Sequence, residues 1–168
     1  MALITDLVIQ KADQEDWPMI RAIYLEGIRT GHATFTSEAE VPQAAANWFE
    51  GKSIVLKGLL QETMVGWAAL SPSSKRYVYR GVQEVSLYVS QAHKGQGIGK
   101  RLLAELVKAS EEAGLWTLYA SIFPENEVSL KLHYDAGFKL LGRREKIGQM
   151  EGRWRDTLFL ERRSPLIV

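Results

Sequence analysis

Gly95, Gly97 and Gly99 fall within five residues, after the apolar run Val85-Ser86-Leu87-Tyr88-Val89 and at the entry to the amphipathic segment that opens Ile98-Gly99-Lys100-Arg101-Leu102-Leu103. Glycines spaced in this way remove the Cβ atoms that would hold a ligand off the main chain. The N–H groups freed at such a turn, with the positive end of the helix behind it, make a cradle for phosphate oxygens. A phosphorylated ligand is the chemistry this spacing serves. Two familiar glycine patterns do not fit. A Walker A loop needs glycine at position 94 and Ser or Thr after Lys100, where the chain has Lys94 and Arg101. A dinucleotide fingerprint matches Gly95 and Gly97 and then meets Lys100 in place of its third glycine.

The elements that must position this turn can be read from apolar spacing. Leu7 to Lys11 reads as a strand, and Asp13 as the cap of a helix with Trp17, Ile20, Ile23, Tyr24 and Ile28 at helical intervals, ending near Gly31. An irregular segment begins at Thr34-Phe35-Thr36, a short helix fits Pro42 to Glu50, and Ser53–Leu60 and Met64–Leu70 form a strand pair turning at Glu62-Thr63. Ser71 to Arg76 is a loop by composition. From Glu84 onward the order is strand, helix (Gly99–Ala113), strand (Trp116–Ile122), helix (Val128–Ala136) and two strands, Lys139–Ile147 and Arg153–Leu160. Helices interleaved with strands and a closing hairpin give an α/β fold with a mixed sheet, expected as one domain over residues 1–168.

Composition narrows the partners. With 21 Lys and Arg against 20 Asp and Glu, the chain has no charge excess to draw it to nucleic acid or to anionic lipid, so a small-molecule partner is expected. It has no cysteine, which excludes disulfides, thiolate metal sites and an acyl-cysteine intermediate. No metal site is expected. The start, Met1-Ala2-Leu3-Ile4-Thr5-Asp6, lacks a basic segment followed by an apolar run, and no stretch approaches the roughly 18 apolar residues of a membrane span. A cytoplasmic protein is the expectation.

Lys94-Gly95-Gln96-Gly97-Ile98-Gly99 resembles the pyrophosphate loop of the GNAT superfamily of N-acetyltransferases, Arg/Gln-x-x-Gly-x-Gly/Ala, with Lys94 in place of the usual Arg or Gln. Asn126 to Phe138 is similar to that superfamily's Asn-x-x-Ala/Ser-x-x-Leu-Tyr-x-x-x-Gly-Phe, with His133 where tyrosine is usual. That histidine, Glu84 ahead of Ser86-Leu87-Tyr88-Val89, and Gly152-Arg153-Trp154-Arg155-Asp156 resemble the phosphinothricin and methionine sulfoximine acetyltransferase branch. The likeness runs from Leu7 to about Glu161.

The resemblance implies a GNAT fold, with a mixed, mostly antiparallel central sheet flanked by helices, and acetyl-CoA as cosubstrate. The pyrophosphate is expected on the N–H groups of Lys94, Gly95, Gln96, Gly97, Ile98, Gly99 and Lys100, and the pantetheine arm along Leu87, Tyr88 and Val89, with Asn126, Ser129 and His133 as further cofactor contacts. Acetyl transfer to an amine needs that amine neutral, and Glu84 is the candidate general base, acting through water. A main-chain N–H of Leu87 or Tyr88 is the candidate donor to the carbonyl oxygen. His133 is either the general acid or only a cofactor contact. For a free amino acid as acceptor, Arg76 or Arg80 would hold the carboxylate, Phe35 would wall the side chain, Glu84, Val85 and Ser86 would line the site, and Trp154 would contribute from the hairpin or from a second subunit.

Two function classes stand side by side at this point. One is an enzyme acetylating the α-amino group of a small amino acid or analogue, most often as a homodimer in this branch. The other is a non-catalytic acetyl-CoA module, for which Glu84 and His133 would be superfluous. Within the enzyme class, a protein N-terminus or a polyamine is the rival acceptor. Three basic and no acidic residues in Ser71–Arg80 speak against a polyamine.

Overall fold

The computed structural model describes residues 4–168. β1 (Val8–Lys11) leads to α1 (Trp17–Arg29) and α2 (Ala45–Phe49), and three strands follow: β2 (Ile54–Leu60), β3 (Thr63–Pro72) and β4 (Val82–Val89). Then come α3 (Ile98–Glu112), β5 (Thr117–Ile122), α4 (Glu127–Asp135) and the closing pair β6 (Lys139–Met150) and β7 (Arg153–Arg163). The strands form one sheet in the order β1-β2-β3-β4-β5-β7-β6. Only β4 and β5 run parallel, and the other neighbours are antiparallel, so the sheet is mixed and mostly antiparallel as expected.

Several boundaries differ from the sequence expectation for local reasons. Asp13 caps not α1 but a 3-10 turn, Gln14–Asp16, accepting from Glu15 N–H, and α1 starts only at Trp17 with proline in its first turn. The β2–β3 turn is at Gln61-Glu62, one residue earlier than expected, with φ of 47° and 64°. That left-handed pair is the backbone of a two-residue hairpin, which Asn-Gly usually signals and Gln-Glu does not. Ser71 and Pro72 belong to β3 rather than to the loop, because they pair with Glu84 and Gln83. Glu84 consequently lies inside β4 and not at its start. β6 and β7 support each other out to Met150 and Arg163, beyond the ends that their polar residues suggest.

Each face of the sheet has its own core. Leu102, Leu103 and Leu106 of α3 are fully buried against Val65, Ala68, Leu70, Leu118 and Leu160. Each such leucine contributes about 1.5–3 kcal/mol of burial. On the opposite face, Trp17, Ile20 and Ile23 of α1 and Trp48 of α2 pack on Trp67 and Ala69, with Tyr24 and Tyr88 at the margin. Alternation along β4 sends Val85, Leu87 and Val89 to the α3 face and Tyr88 to the α1 face. Ser86 and Glu84 share the face of Tyr88. A Cβ on Gly27 would sit 2.4 Å from the Tyr88 ring, so glycine there lets α1 lie close on β4.

The feature that matters most is where the parallel pair parts. β4 and β5 are paired only from Val82↔Thr117 to Glu84↔Tyr119, although β4 continues to Val89 and β5 to Ile122. The gap that follows is a cavity of about 360 Å³ that reaches both faces of the sheet.

Candidate active site

On the α3 side the glycine turn has the geometry of an anion cradle. Gly95 and Gly97 have φ of +74° and +81°, a left-handed backbone that glycine adopts without cost, and Gly97 is the N-cap of α3. A Cβ on Gly95 would meet nothing within 4 Å, and one on Gly97 only Ile4 at 3.9 Å, so the main chain is open to a ligand. Behind it, the N–H groups of Ile98, Gly99 and Lys100 are the first of a 15-residue helix and have no acceptor within it. Gly99 does a different job: a Cβ there would sit 3.3 Å from Leu132 and 3.5 Å from Leu87, so its role is close packing of α3 on α4 and β4. The turn is tied to α1, because Gln91 N–H donates to Glu26 at 2.8 Å.

Hydrogen-bond alternation decides which N–H groups of β4 face the gap. Ser90 N–H donates to the Val65 carbonyl at 2.8 Å and Ser73 N–H to that of Val82 at 3.2 Å. Between them the β3–β4 ladder runs without a bulge. The main-chain groups of Glu84, Ser86 and Tyr88 therefore turn to β3, and those of Val85, Leu87 and Val89 turn to the β5 side. Beyond Glu84 no strand takes them up, so the Leu87 N–H opens on the cavity, and the Val89 N–H faces the same side beyond the residues that line it. Of the two expected donors, Tyr88 N–H is spent in the ladder and Leu87 N–H is available. The Tyr88 phenol is held well above its usual pKa by burial, in an aromatic stack 4.8 Å from Trp67.

α4 carries the next group. Asn126 caps it, accepting from Ser129 N–H at 3.1 Å, and donates through Nδ2 to the His32 carbonyl at 3.2 Å, which joins the helix to the loop bearing Phe35. His133 is buried, its ring edge-on to Phe138 at 5.0 Å. Its Nδ1 lies 2.7 Å from the Ser129 carbonyl, an oxygen that only accepts, so Nδ1 bears the proton. Burial holds His133 below the usual histidine pKa, against a smaller upward pull from that carbonyl. Its Nε2 is buried, without a protein partner, and belongs to a side chain lining the cavity. The ring is thus a neutral imidazole presenting a lone pair.

Glu84 lies on the other face. Its Oε2 accepts from the Tyr119 hydroxyl at 3.3 Å. Tyr119 is pushed up to about 12, first by burial and then by the Glu84 charge. Phe35 closes the cavity: its ring is edge-on to Phe123 at 4.9 Å and covers Gly148, where a Cβ would come within 2.9 Å of it. Arg155 holds this wall, lying 3.6 Å over Phe123 and donating to the Gly31 carbonyl.

The cavity is lined by Phe35, Glu84, Val85, Ser86, Leu87, Tyr88, Asn126, Ser129 and His133 among the residues expected from sequence. Three expected acceptor residues are not brought there. Arg80 is stacked on Tyr77 at 4.1 Å and on Trp116 at 5.1 Å, and Arg76 lies over Tyr79 at 5.3 Å. Trp154 is 59 % exposed on the β6–β7 hairpin. Tyr119, Phe123, Arg144 and Thr157 join the cavity or its wall without having been expected. Nothing in their spacing marks them, since register across β5, β7 and β6 brings them together.

A profile of the Acetyltransferase (GNAT) domain family matches residues 9–159. The chain belongs to the GNAT acetyltransferase family. The GNAT chain is 30% identical over 161 residues to an L-methionine sulfoximine/L-methionine sulfone acetyltransferase of Pseudomonas paraeruginosa, covering 91% of this chain and 92% of that one. It is 31% identical, with a TM-score of 0.82, to a GNAT superfamily phosphinothricin acetyltransferase from Sinorhizobium meliloti solved in complex with AcCoA, covering 94% of this chain and 88% of that one. A ribosomal-protein-alanine N-acetyltransferase from Brucella melitensis is 32% identical, with a TM-score of 0.84, over 94% of this GNAT chain and 99% of its own. The glycine turn and the free N–H groups of β4 fit acetyl-CoA.

Proposed function

We propose that the chain, working as one N-acetyltransferase domain over residues 1–168, moves an acetyl group from acetyl-CoA to the α-amino group of a small amino acid or analogue. The acceptor is of the methionine sulfone, methionine sulfoximine or phosphinothricin type, and transfer is direct, within a ternary complex. The observation that carries this reading is the β4–β5 gap, whose cavity is lined by His133 and Leu87 together with Glu84 and Phe35, while the glycine turn follows from the end of the same strand. Relatives named for such amino-acid acceptors support it.

Acetyl-CoA supplies an activated thioester carbonyl. Lys94 to Lys100 hold its phosphates through main-chain N–H groups, and Leu87 N–H donates to the carbonyl oxygen as charge develops there. The amino group of a free amino acid, beside its own carboxylate, holds its proton more tightly than a peptide N-terminus, whose pKa is near 7.7–8.0, and is almost wholly protonated at neutral pH. Glu84 takes that proton through a water, and Tyr119 fixes the carboxylate by donating to its other lobe. The neutral amine then attacks, the thioester C–S bond breaks as the amide C–N bond forms, and coenzyme A leaves as a thiolate that takes up the amine's second proton through water. His133, neutral with its proton on Nδ1, has none at Nε2 to give, so we assign it a hydrogen-bond acceptor's role at the meeting point of the two substrates. Phe35 covers the acceptor side chain and keeps bulk water out.

A thiol-release screen with amino acids, amino-acid analogues, polyamines and N-terminal peptides tests the reading. Turnover confined to free amino acids supports it. Turnover of an alanyl peptide alone overturns it in favour of the acceptor named for the Brucella relative.

We further propose a cytoplasmic homodimer. Among the described residues no helix is long and apolar enough to cross a membrane. Leu140, Leu141, Ile147 and Trp154 are exposed on β6 and β7, and β6 is a sheet edge. Light scattering at micromolar concentration giving a monomer with full activity would refute the dimer.

A further inference from the structure

With Arg76 and Arg80 stacked on aromatic rings away from the cavity, a carboxylate-bearing acceptor needs another cation. Arg144 of β6 lines the main cavity and also the smaller one beside it, of about 340 Å³, which Tyr79, Tyr119, Phe159 and Glu161 help to bound. Its guanidinium lies 4.3 Å over the Phe159 ring, Phe159 packs 5.2 Å from Tyr119, and Tyr119 donates to Glu84. The cation and the carboxylate of the proposed base therefore stand on the same face of the sheet, separated by two aromatic rings.

Neighbouring arginines are already committed. Arg143 pairs with Asp156, Arg155 with Glu125 and Arg162 with Glu111. Arg144 forms no such pair, even with Glu161 at the edge of the smaller cavity. Stacking on Phe159 orients the guanidinium plane without using its N–H groups, which stay free for a planar anion. The strand is also shaped at this point: β6 slips register between Arg144 and Gly148, Lys146 takes φ of 48°, and Asp156 secures the slip by accepting from Lys146 N–H at 2.7 Å. Bulges of this kind re-aim side chains beside sites.

We propose that Arg144 is the carboxylate clamp of the acceptor site, binding the α-carboxylate of a free amino acid as a bidentate pair and so turning its α-amino group toward Glu84 and the β4–β5 gap. The clamp rests on the amino-acid reading above. It assigns the contact with the acceptor's carboxylate to β6.

The test compares methionine sulfone with its carboxamide on the wild type, Arg144→Met and Arg144→Lys, by kcat/KM for thiol release, with circular dichroism to confirm folding. Loss of a charge-assisted pair lowers the acid-to-amide ratio by about ten- to a hundredfold in Arg144→Met, chiefly through KM of the acid. Arg144→Lys, a point charge without the fork, recovers part of it. An unchanged ratio in folded Arg144→Met overturns the clamp while amino-acid acetylation stands. An equal loss for acid and amide also overturns it, showing that Arg144 acts through structure. A wild type that acetylates no free amino acid overturns the amino-acid reading itself, and the clamp with it.

Discussion

The donor and acceptor halves of this site are built in opposite ways. The donor half is the more local: the glycine turn with the start of α3, the strand before it and α4 supply the cradle, the Leu87 and Val89 N–H groups and His133, largely through main-chain atoms. The acceptor half is assembled from side chains far apart in sequence: Glu84, Tyr119, Arg144 and Thr157 meet because β4, β5, β7 and β6 are adjacent in the sheet, and Phe35 joins them from the loop after α1, against Phe123 and Gly148. A half that binds through backbone tolerates side-chain change, as Lys94 illustrates. A half made of side chains can be retuned one residue at a time. Substitutions on the two sides should therefore separate: the donor half acts on cofactor affinity whatever the acceptor, and the acceptor half acts on turnover and selectivity.

The largest effect is expected at Glu84. Glu84→Gln keeps the shape and the contact with Tyr119 but removes the proton acceptor, and kcat at neutral pH should fall by about 10²–10⁴-fold. The deficit should narrow as pH rises and the amine loses its proton to bulk water. Acetyl-CoA affinity, measured by calorimetry, should stay within twofold. Wild-type turnover across the pH range would assign deprotonation to solvent.

Gly97→Val probes the opposite half. The side chain strains a left-handed residue, by roughly 1–2 kcal/mol, and fills the cradle, so acetyl-CoA affinity should weaken by about ten- to a hundredfold while the sheet remains folded. Unaltered calorimetric affinity in a folded protein would remove the cradle from the cofactor site. Gly99→Ala provides the contrast. Its Cβ presses on Leu132 at 3.3 Å while alanine favours the helix by about 1 kcal/mol, so the two offset, the melting temperature should stay within a few degrees of the wild type, and affinity should change less than in Gly97→Val.

The smallest effect concerns His133, where the halves meet. Its folded pKa lies below its unfolded value, so the unfolded chain binds the extra proton first as pH falls. Stability from neutral His133 is full above about pH 6.5 and declines below it, toward the lowered folded value. Urea midpoints at pH 7.5 and 5.5 should differ more for the wild type than for His133→Gln. Equal differences would mean that the ring is not held neutral.

How much could be read from the sequence follows the same division. The glycine turn and the strand–helix order were legible because each depends on neighbours a few residues apart. Gly99 was legible only as part of the motif, and its packing against Leu132 needed the α3–α4 contact. Arg76 and Arg80 pointed to the acceptor by proximity along the chain, yet both side chains are held by aromatic rings on their own loop or beside it. Tyr119 and Arg144 gave no signal. Tyr119 reaches the site through the pairing of β4 with β5, and Arg144 through that of β5 with β7 and of β7 with β6, which no local pattern encodes.

Direct transfer across the β4–β5 gap requires both halves to be filled at once, and initial velocities measured at varied acetyl-CoA and varied methionine sulfone test that requirement most directly. A ternary complex gives double-reciprocal lines that intersect, consistent with a chain that has no cysteine to carry the acetyl group. Parallel lines, the pattern of a ping-pong reaction through an acetylated side chain, would contradict it.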